Sequence, residues 1–223
     1  MYDQAMQGTM DRVAIAMSSR FEPFPSAPAG PSTRHKVEYA TGVVVDELGH
    51  VITDRQVTDS CLVITLAGLG NVELLAETAD LALLRLYGAR NLKPLAMGDG
   101  ANVRDVTLVG IADPQAQGGG GMATTVVARL GTAENAKRAL EPAPALGFSG
   151  AAVTDTKGRL VGLVQLKGAL VAGPTNVGAP AQLVPIEQIK AFLNGRNIAP
   201  AAAAASSPEA AKASVLRVIC VRK

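Results

Sequence analysis

Thr41-Gly42-Val43-Val44-Val45-Asp46, then Glu47-Leu48-Gly49, then His50-Val51-Ile52-Thr53 read as a β-branched run, a turn and a second run. Short apolar runs bounded by turn residues predict a β-hairpin. The pattern returns at Ser149-Gly150-Ala151-Ala152-Val153-Thr154-Asp155, then Thr156-Lys157-Gly158, then Arg159-Leu160-Val161-Gly162-Leu163-Val164. Two similar hairpins, far apart in one chain, predict two β-barrel halves of similar build. Strand-like runs at 62–66, 72–76, 81–86, 106–111 and 123–130 keep the short spacing of an all-β sandwich or barrel.

The remaining segments organise around those halves. Residues 1–36 combine a weak helical pattern (Val13, Ala14, Ala16, Met17) with a proline-rich stretch that ends it. The first half is placed at 37–117 and the second at 118–198, with Gly118 to Gly121 as a mobile link near their junction. No Gly-Lys-Ser/Thr follows those glycines, so they lack the pattern of a phosphate-cradling loop. Apolar spacing in Pro185-Ile186-Glu187-Gln188-Ile189-Lys190-Ala191-Phe192-Leu193, with Gly195 beyond it, predicts a short terminal helix. Residues 199–213 read as an Ala/Pro/Ser linker. Residues 214–223 alternate like a strand, which either pairs with a sheet edge or begins a further module.

Composition excludes several functions. The chain has 223 residues, 48% hydrophobic and 18% charged, enough to bury one or two cores. A net charge of +2 falls well short of the basic surface that neutralises phosphates, and 3% aromatic content without tryptophan removes base-stacking platforms. Nucleic acid is therefore not the expected partner. No run approaches the ~20 apolar residues of a membrane span, and the N-terminus lacks a basic region followed by an apolar stretch. Cys61 and Cys220 fit no CxxC spacing, and with only His35 and His50 beside them no metal or other cofactor is expected. The two cysteines are either small buried thiols or a disulfide tying the tail to the body.

Three blocks in order carry a family resemblance. Thr41 to Asp46 through Val51-Ile52-Thr53-Asp54-Arg55-Gln56-Val57 resembles the histidine block of trypsin-like serine proteases of the HtrA (Deg) branch, whose form is Gly-Val-Val-Val, a turn, then Leu-Thr-Asn-Asn-His-Val. Gln56 stands in the histidine's place. Thr78-Ala79-Asp80-Leu81-Ala82-Leu83-Leu84 resembles the aspartate strand, and Pro94 to Asp99 with Val109 to Pro114 continues it. Gly147-Phe148-Ser149-Gly150-Ala151 resembles Gly-Asn-Ser-Gly-Gly, with Phe148 and Ala151 as departures. The likeness covers roughly residues 38–194.

The resemblance implies an all-β fold of two six-stranded antiparallel Greek-key β-barrels with a C-terminal helix. Gln56 and Asp80 of the first barrel and Ser149 of the second would then occupy the triad positions, and the amides of Gly147 and Ser149 an oxyanion hole. A glutamine amide neither takes nor returns the serine proton, and removing the base from such a site costs about a millionfold in turnover. The expected protein is a pseudoprotease without meaningful peptidase activity, holding a peptide or protein ligand in the inter-barrel cleft. The alternatives are an active endopeptidase with an unconventional base and a purely structural domain.

Within that reading, the Gln56 carbonyl accepts from Ser149 while its amide donates to Asp80. Ala143 falls where the family shapes the side-chain pocket, and without an acid there the pocket prefers apolar groups. His50 is expected to be a solvated strand residue, and nothing in the sequence aims His35 at the cleft. The resemblance favours a periplasmic or other extracytoplasmic location.

Overall fold

The structure is a computed structural model of the chain. It describes residues 10–13, 15, 36–100, 103–114, 121–134, 137–166, 180–201 and 206–222. Met1–Arg34 is a separate unit, of which a helical stretch at 10–13 and 15 is described. His35, the proline-rich stretch and Gly118 to Gly120 lie outside the described residues. All that follows concerns the unit His35–Lys223.

The fold is almost entirely antiparallel β. A first sheet contains β1 (Lys36–Val44), β2 (His50–Asp54), β3 (Cys61–Leu66), β4 (Gly70–Asn71), β5 (Glu73–Glu77) and β6 (Leu81–Arg85), with a single helical turn α1 (Arg55–Thr58) after β2. A second, closed barrel runs β10-β11-β12-β9-β8-β7, from β7 (Asp105–Gly110), β8 (Thr124–Glu134), β9 (Lys137–Glu141), β10 (Ala152–Thr154), β11 (Leu160–Leu166) and β12 (Ala181–Pro185). Helix α2 (Ile186–Asn194) follows at once and buries Ile186, Ile189, Phe192 and Leu193, the positions that its apolar spacing marked.

The two hairpins of the sequence share one turn design. Asp46 Oδ1 accepts the amides of Leu48 and His50, each at 3.0 Å, while Asp155 Oδ1 accepts those of Lys157 and Arg159, each at 2.9 Å. In each turn the other carboxylate oxygen holds the side chain four residues on. Asp46 Oδ2 meets His50 Nδ1 at 2.5 Å and Asp155 Oδ2 meets Arg159 Nη2 at 2.8 Å. Aspartate makes this turn because its short carboxylate mimics a backbone acceptor. His50, expected to be solvated, is instead held between Asp46 and Arg85, whose Nη1 lies 3.0 Å from its Nε2.

Strands buried on both faces explain the continuous apolar runs. Val44, Val51 and Leu84 face the interior of the first sheet, whereas their neighbours Val43, Ile52 and Leu83 join a cluster with Leu163, Val184 and Phe192 of the second half. Successive strand residues point to opposite faces, so both alternating sets must be apolar where both faces are covered.

The domain bounds differ from those read in the sequence. A boundary at 117 puts β7 in the first half, but β7 closes the second barrel, so the crossover lies at 86–104. Gly121 accordingly sits just before β8, inside the second half. Part of the 199–213 linker is a helix, α3 (Pro208–Ala213), whose N-cap Ser207 accepts the Ala210 amide at 3.0 Å.

The terminal strand β13 (Val215–Arg222) is not at an edge. The first sheet runs β4-β3-β13-β1-β2-β6-β5, so the last strand lies between β1 and β3 and brings that sheet to seven strands. Its register pairs Lys36 with Arg222 and Val43 with Val215 on one side, and Leu66 with Val218 on the other. Cys220, fully buried on β13, is disulfide-bonded to Cys61 at the start of β3.

Candidate functional site

The site is assembled around Thr41, a fully buried residue on β1. Its amide donates to the Ser149 carbonyl at 2.9 Å, its hydroxyl donates to the Gly147 carbonyl at 2.9 Å, and the same hydroxyl accepts the Ile111 amide at 2.9 Å. Thr53 on β2 completes the frame, donating its hydroxyl to the Thr41 carbonyl at 2.8 Å. These bonds fasten the Ser149 loop of the second barrel to the strands of the first.

The loop residues suit that close approach. A Cβ on Gly150, at φ +78°, would lie 2.2 Å from the Thr41 carbonyl oxygen, and one on Gly147, at φ +93°, would lie 2.4 Å from the Asp113 amide nitrogen. Only glycine fits either place. Phe148, the departure from the family's asparagine, is buried in the second barrel's core with Leu108, Leu140 and Val164. It anchors the loop from below while Ser149 stays half-buried at the cleft.

Ser149 does not bond to Gln56. Its Oγ donates to Asp54 Oδ2 at 2.5 Å. Asp54 ends β2 and caps α1, its Oδ1 accepting the Gln56 backbone amide at 3.1 Å. Gln165 Nε2 on β11 then bridges two carboxylates, lying 3.3 Å from Asp54 Oδ1 and 3.2 Å from Asp80 Oδ1. Gln188 Nε2 donates to Asp80 Oδ2 at 3.0 Å. The observed chain is therefore Ser149, Asp54, Gln165, Asp80 and Gln188.

The Gln56 side chain is exposed on the cleft wall, and no hydrogen bond joins it to Ser149 or Asp80, contrary to the bridging expected from sequence. The physical reason is competition. A buried carboxylate is a stronger acceptor for the serine hydroxyl than a neutral amide carbonyl, and Gln165 already supplies the donor between the two acids.

Burial is the main influence on Asp54 and raises its pKa above the ordinary carboxylate value. Hydrogen bonds from Ser149, the Gln56 amide and Gln165 act in the opposite direction, and the nearby negative charge of Asp80 reinforces the rise. Asp54 is thus a buried acid of increased basicity in contact with a serine hydroxyl.

Beside this network lies a cleft of about 540 Å³, lined among others by Arg55, Gln56, Leu146, Gly147, Ser149 and Arg222. The amides of Gly147 and Ser149 donate to no acceptor among the described residues. Ala143 is exposed on the loop after β9 and is not part of the described lining, to which that loop contributes Leu146, Gly147 and Ser149. The Leu146 carbonyl accepts the Asp113 amide at 2.9 Å, which folds this part of the loop against the cleft. Among the described residues no cluster of side chains fits a metal ion, and no helix is long and apolar enough to cross a membrane.

Sequence reading identified Ser149, Asp80, Gln56, Gly147 and Ala143, and of these Ser149, Gln56 and Gly147 line this cleft. It missed Thr41, Asp54, Gln165 and Gln188. Asp54 had a visible signal, an acid where the family form has Asn. Gln165 had another, an amide interrupting the apolar run Leu163-Val164-Gln165-Leu166.

Two barrels, an inter-barrel cleft and a serine loop on the second barrel define a trypsin-like protease fold. Residues 40–163 match the trypsin-like peptidase domain, and the chain belongs to that family. It is similar in fold to the serine endoprotease from Yersinia pestis, at 18% identity and TM-score 0.54 over 70% of this chain and 56% of that one. It is also similar to the HtrA-type protease AlgW with decapeptide, at 20% identity and TM-score 0.55 over 70% of this chain and 50% of that one. The chain thus spans about half the length of these structures. No curated protein sequence matches it.

Proposed function

We propose that this chain is a pseudoprotease: a trypsin-like domain that has lost histidine-dependent peptide hydrolysis and keeps its inter-barrel cleft for binding a peptide or protein. The observation that carries the reading is Gln56, which stands at the histidine position, exposed and without a hydrogen bond to Ser149. Among the described residues the available imidazole, His50, is committed to Asp46 and Arg85 in the distant hairpin turn.

In this reading Ser149, Asp80 and Gln56 are vestigial triad positions, while the Gly147 and Ser149 amides remain as donors for a ligand carbonyl. At the rim Leu146 offers an apolar contact, beside Arg55 and the ion pair of Arg222 with Glu38. The structural relative solved with a decapeptide supports peptide as the ligand class. The Cys61–Cys220 disulfide supports an oxidising, extracytoplasmic setting, in keeping with a role at the bacterial envelope.

The test is a fluorescence-anisotropy screen of a peptide library against the full chain, run beside a casein-cleavage assay. Binding that is lost on filling the cleft by Gln56→Trp, without cleavage, supports the reading. Cleavage of casein that disappears in Ser149→Ala would overturn it.

A further inference from the structure

We propose that Asp54 acts as a proton acceptor for Ser149, so that the serine takes up acyl groups from activated esters and thioesters although it does not cut peptides. The inference rests on the reading above only in requiring that the cleft is open to ligands.

The geometry supplies each participant. Ser149 Oγ is 2.5 Å from Asp54 Oδ2, within reach for direct proton transfer. The bond is fixed from both sides, because Asp54 is also held by the Gln56 amide and Gln165, while the Ser149 carbonyl is held by the Thr41 amide. Among the described residues Asp80 joins this network through Gln165 and Gln188, and Asp54 is the carboxylate in contact with the hydroxyl. The amides of Gly147 and Ser149 face no protein acceptor among the described residues, which leaves them for a developing oxyanion.

The step balances without a further reactant. Ser149 Oγ attacks the acyl carbon, a new C–O bond forms, and the hydroxyl proton passes to Asp54 Oδ2. The tetrahedral intermediate then expels the aryl oxide or thiolate with its bonding electron pair, leaving an ester on Ser149. Burial raises the basicity of Asp54, which helps the first half of the step.

Asp54 has no exposed surface. It therefore receives the serine proton from inside the fold and does not present it to a leaving group in the cleft. Aryl oxides and thiolates leave as stable anions without that proton, whereas an amide nitrogen requires it. A carboxylate buried behind the serine thus separates acyl acceptance from peptide cleavage. It also gives no path for activating the water that would release the acyl group, so the acyl-serine accumulates.

The test exposes the full chain to p-nitrophenyl acetate and follows stoichiometric release of p-nitrophenol and acetylation of Ser149 by peptide mass mapping. Acetylation is expected in the parent, absent in Ser149→Ala, and about 100-fold slower in Asp54→Asn, whose amide oxygen keeps the cap while its NH2 takes the place of the oxygen that accepts from Ser149, so that the base is lost. If Asp54→Asn fails to fold, the pH profile of the parent takes its place. The rate should rise through one ionisation above the ordinary carboxylate range and then level off.

Equal rates in the parent and a folded Asp54→Asn variant, a rate proportional to hydroxide throughout, or no acetylation of Ser149 at any pH where the chain is folded would overturn the proposal. Acetylation without peptide binding would remove the binding role and leave this pair standing. Peptide binding without acetylation would do the reverse.

Discussion

Thr41 and Ser149 belong to different barrels, and the amide of Thr41 donates to the carbonyl of Ser149 at 2.9 Å. Together with the Thr41 hydroxyl bonds to Gly147 and Ile111, this makes a β1 residue the support of the serine loop. Such support is what a cleft needs if its donors are to hold one geometry.

Thr41→Val tests that support. Valine keeps the shape but strands the buried Gly147 carbonyl and Ile111 amide, each at a cost of about 1–3 kcal/mol. We expect a loss of at least about 2 kcal/mol in urea unfolding, with weaker peptide binding at temperatures where the variant is folded.

Gln56→His should revive a serine that the parent activates poorly. Fluorophosphonate labelling of Ser149 is expected to accelerate by about 100-fold or more, the ordinary contribution of a positioned base. Adding Asp54→Asn restores the asparagine of the family form and removes the competing acceptor, so the double variant should label faster than Gln56→His alone. Equal labelling of both would show that Asp54 does not hold the serine back.

Asp54 also imprints a pH dependence on stability. Its folded-state pKa is raised, so between the ordinary carboxylate value and the folded one the native state binds more protons than the unfolded state. Its contribution is therefore complete at acid pH and declines as pH rises through that window. Urea titrations should find Asp54→Asn gaining stability relative to the parent as pH increases over it. A constant difference between the two proteins would contradict the assignment.

Cys220 closes a covalent loop of sequence separation 159 to Cys61, and the same strand ends in Arg222, whose guanidinium donates to the Gln56 carbonyl at 2.8 Å and pairs with Glu38 at 2.7 Å. Reduction, or the pair Cys61→Ala and Cys220→Ala, should cost about 2–5 kcal/mol. Peptide affinity should fall with it, because Arg222 forms part of the cleft rim. Thermal unfolding and anisotropy titrations with and without reductant measure the two effects.

The parts legible in the sequence were those governed by local rules. The hairpins at Asp46 and Asp155 follow from turn chemistry, α2 follows from its apolar period, and Ser149 and Asp80 follow from motif flanks. β9 escaped notice because Lys137-Arg138-Ala139-Leu140-Glu141 is mostly polar, with Leu140 deeply buried in the second core. The serine–carboxylate contact escaped because it joins positions separated by 95 residues, and only the packing of the barrels reveals that a nominal helix cap faces the nucleophile. The bound on the first half failed for a similar reason. A strand's own residues say that it is a strand, while its sheet is chosen by distant partners.

The place of β13 sets the order of events during synthesis. β1 and β3 leave the ribosome early with a gap between them that residues 215–222 fill. The nascent first half must therefore persist with two unpaired strand borders and a reduced Cys61 while the second half is made and closes on its own hydrogen bonds. Edges of that kind template aggregation. The first sheet is thus completed by a strand translated after the second barrel, and its disulfide waits for that strand.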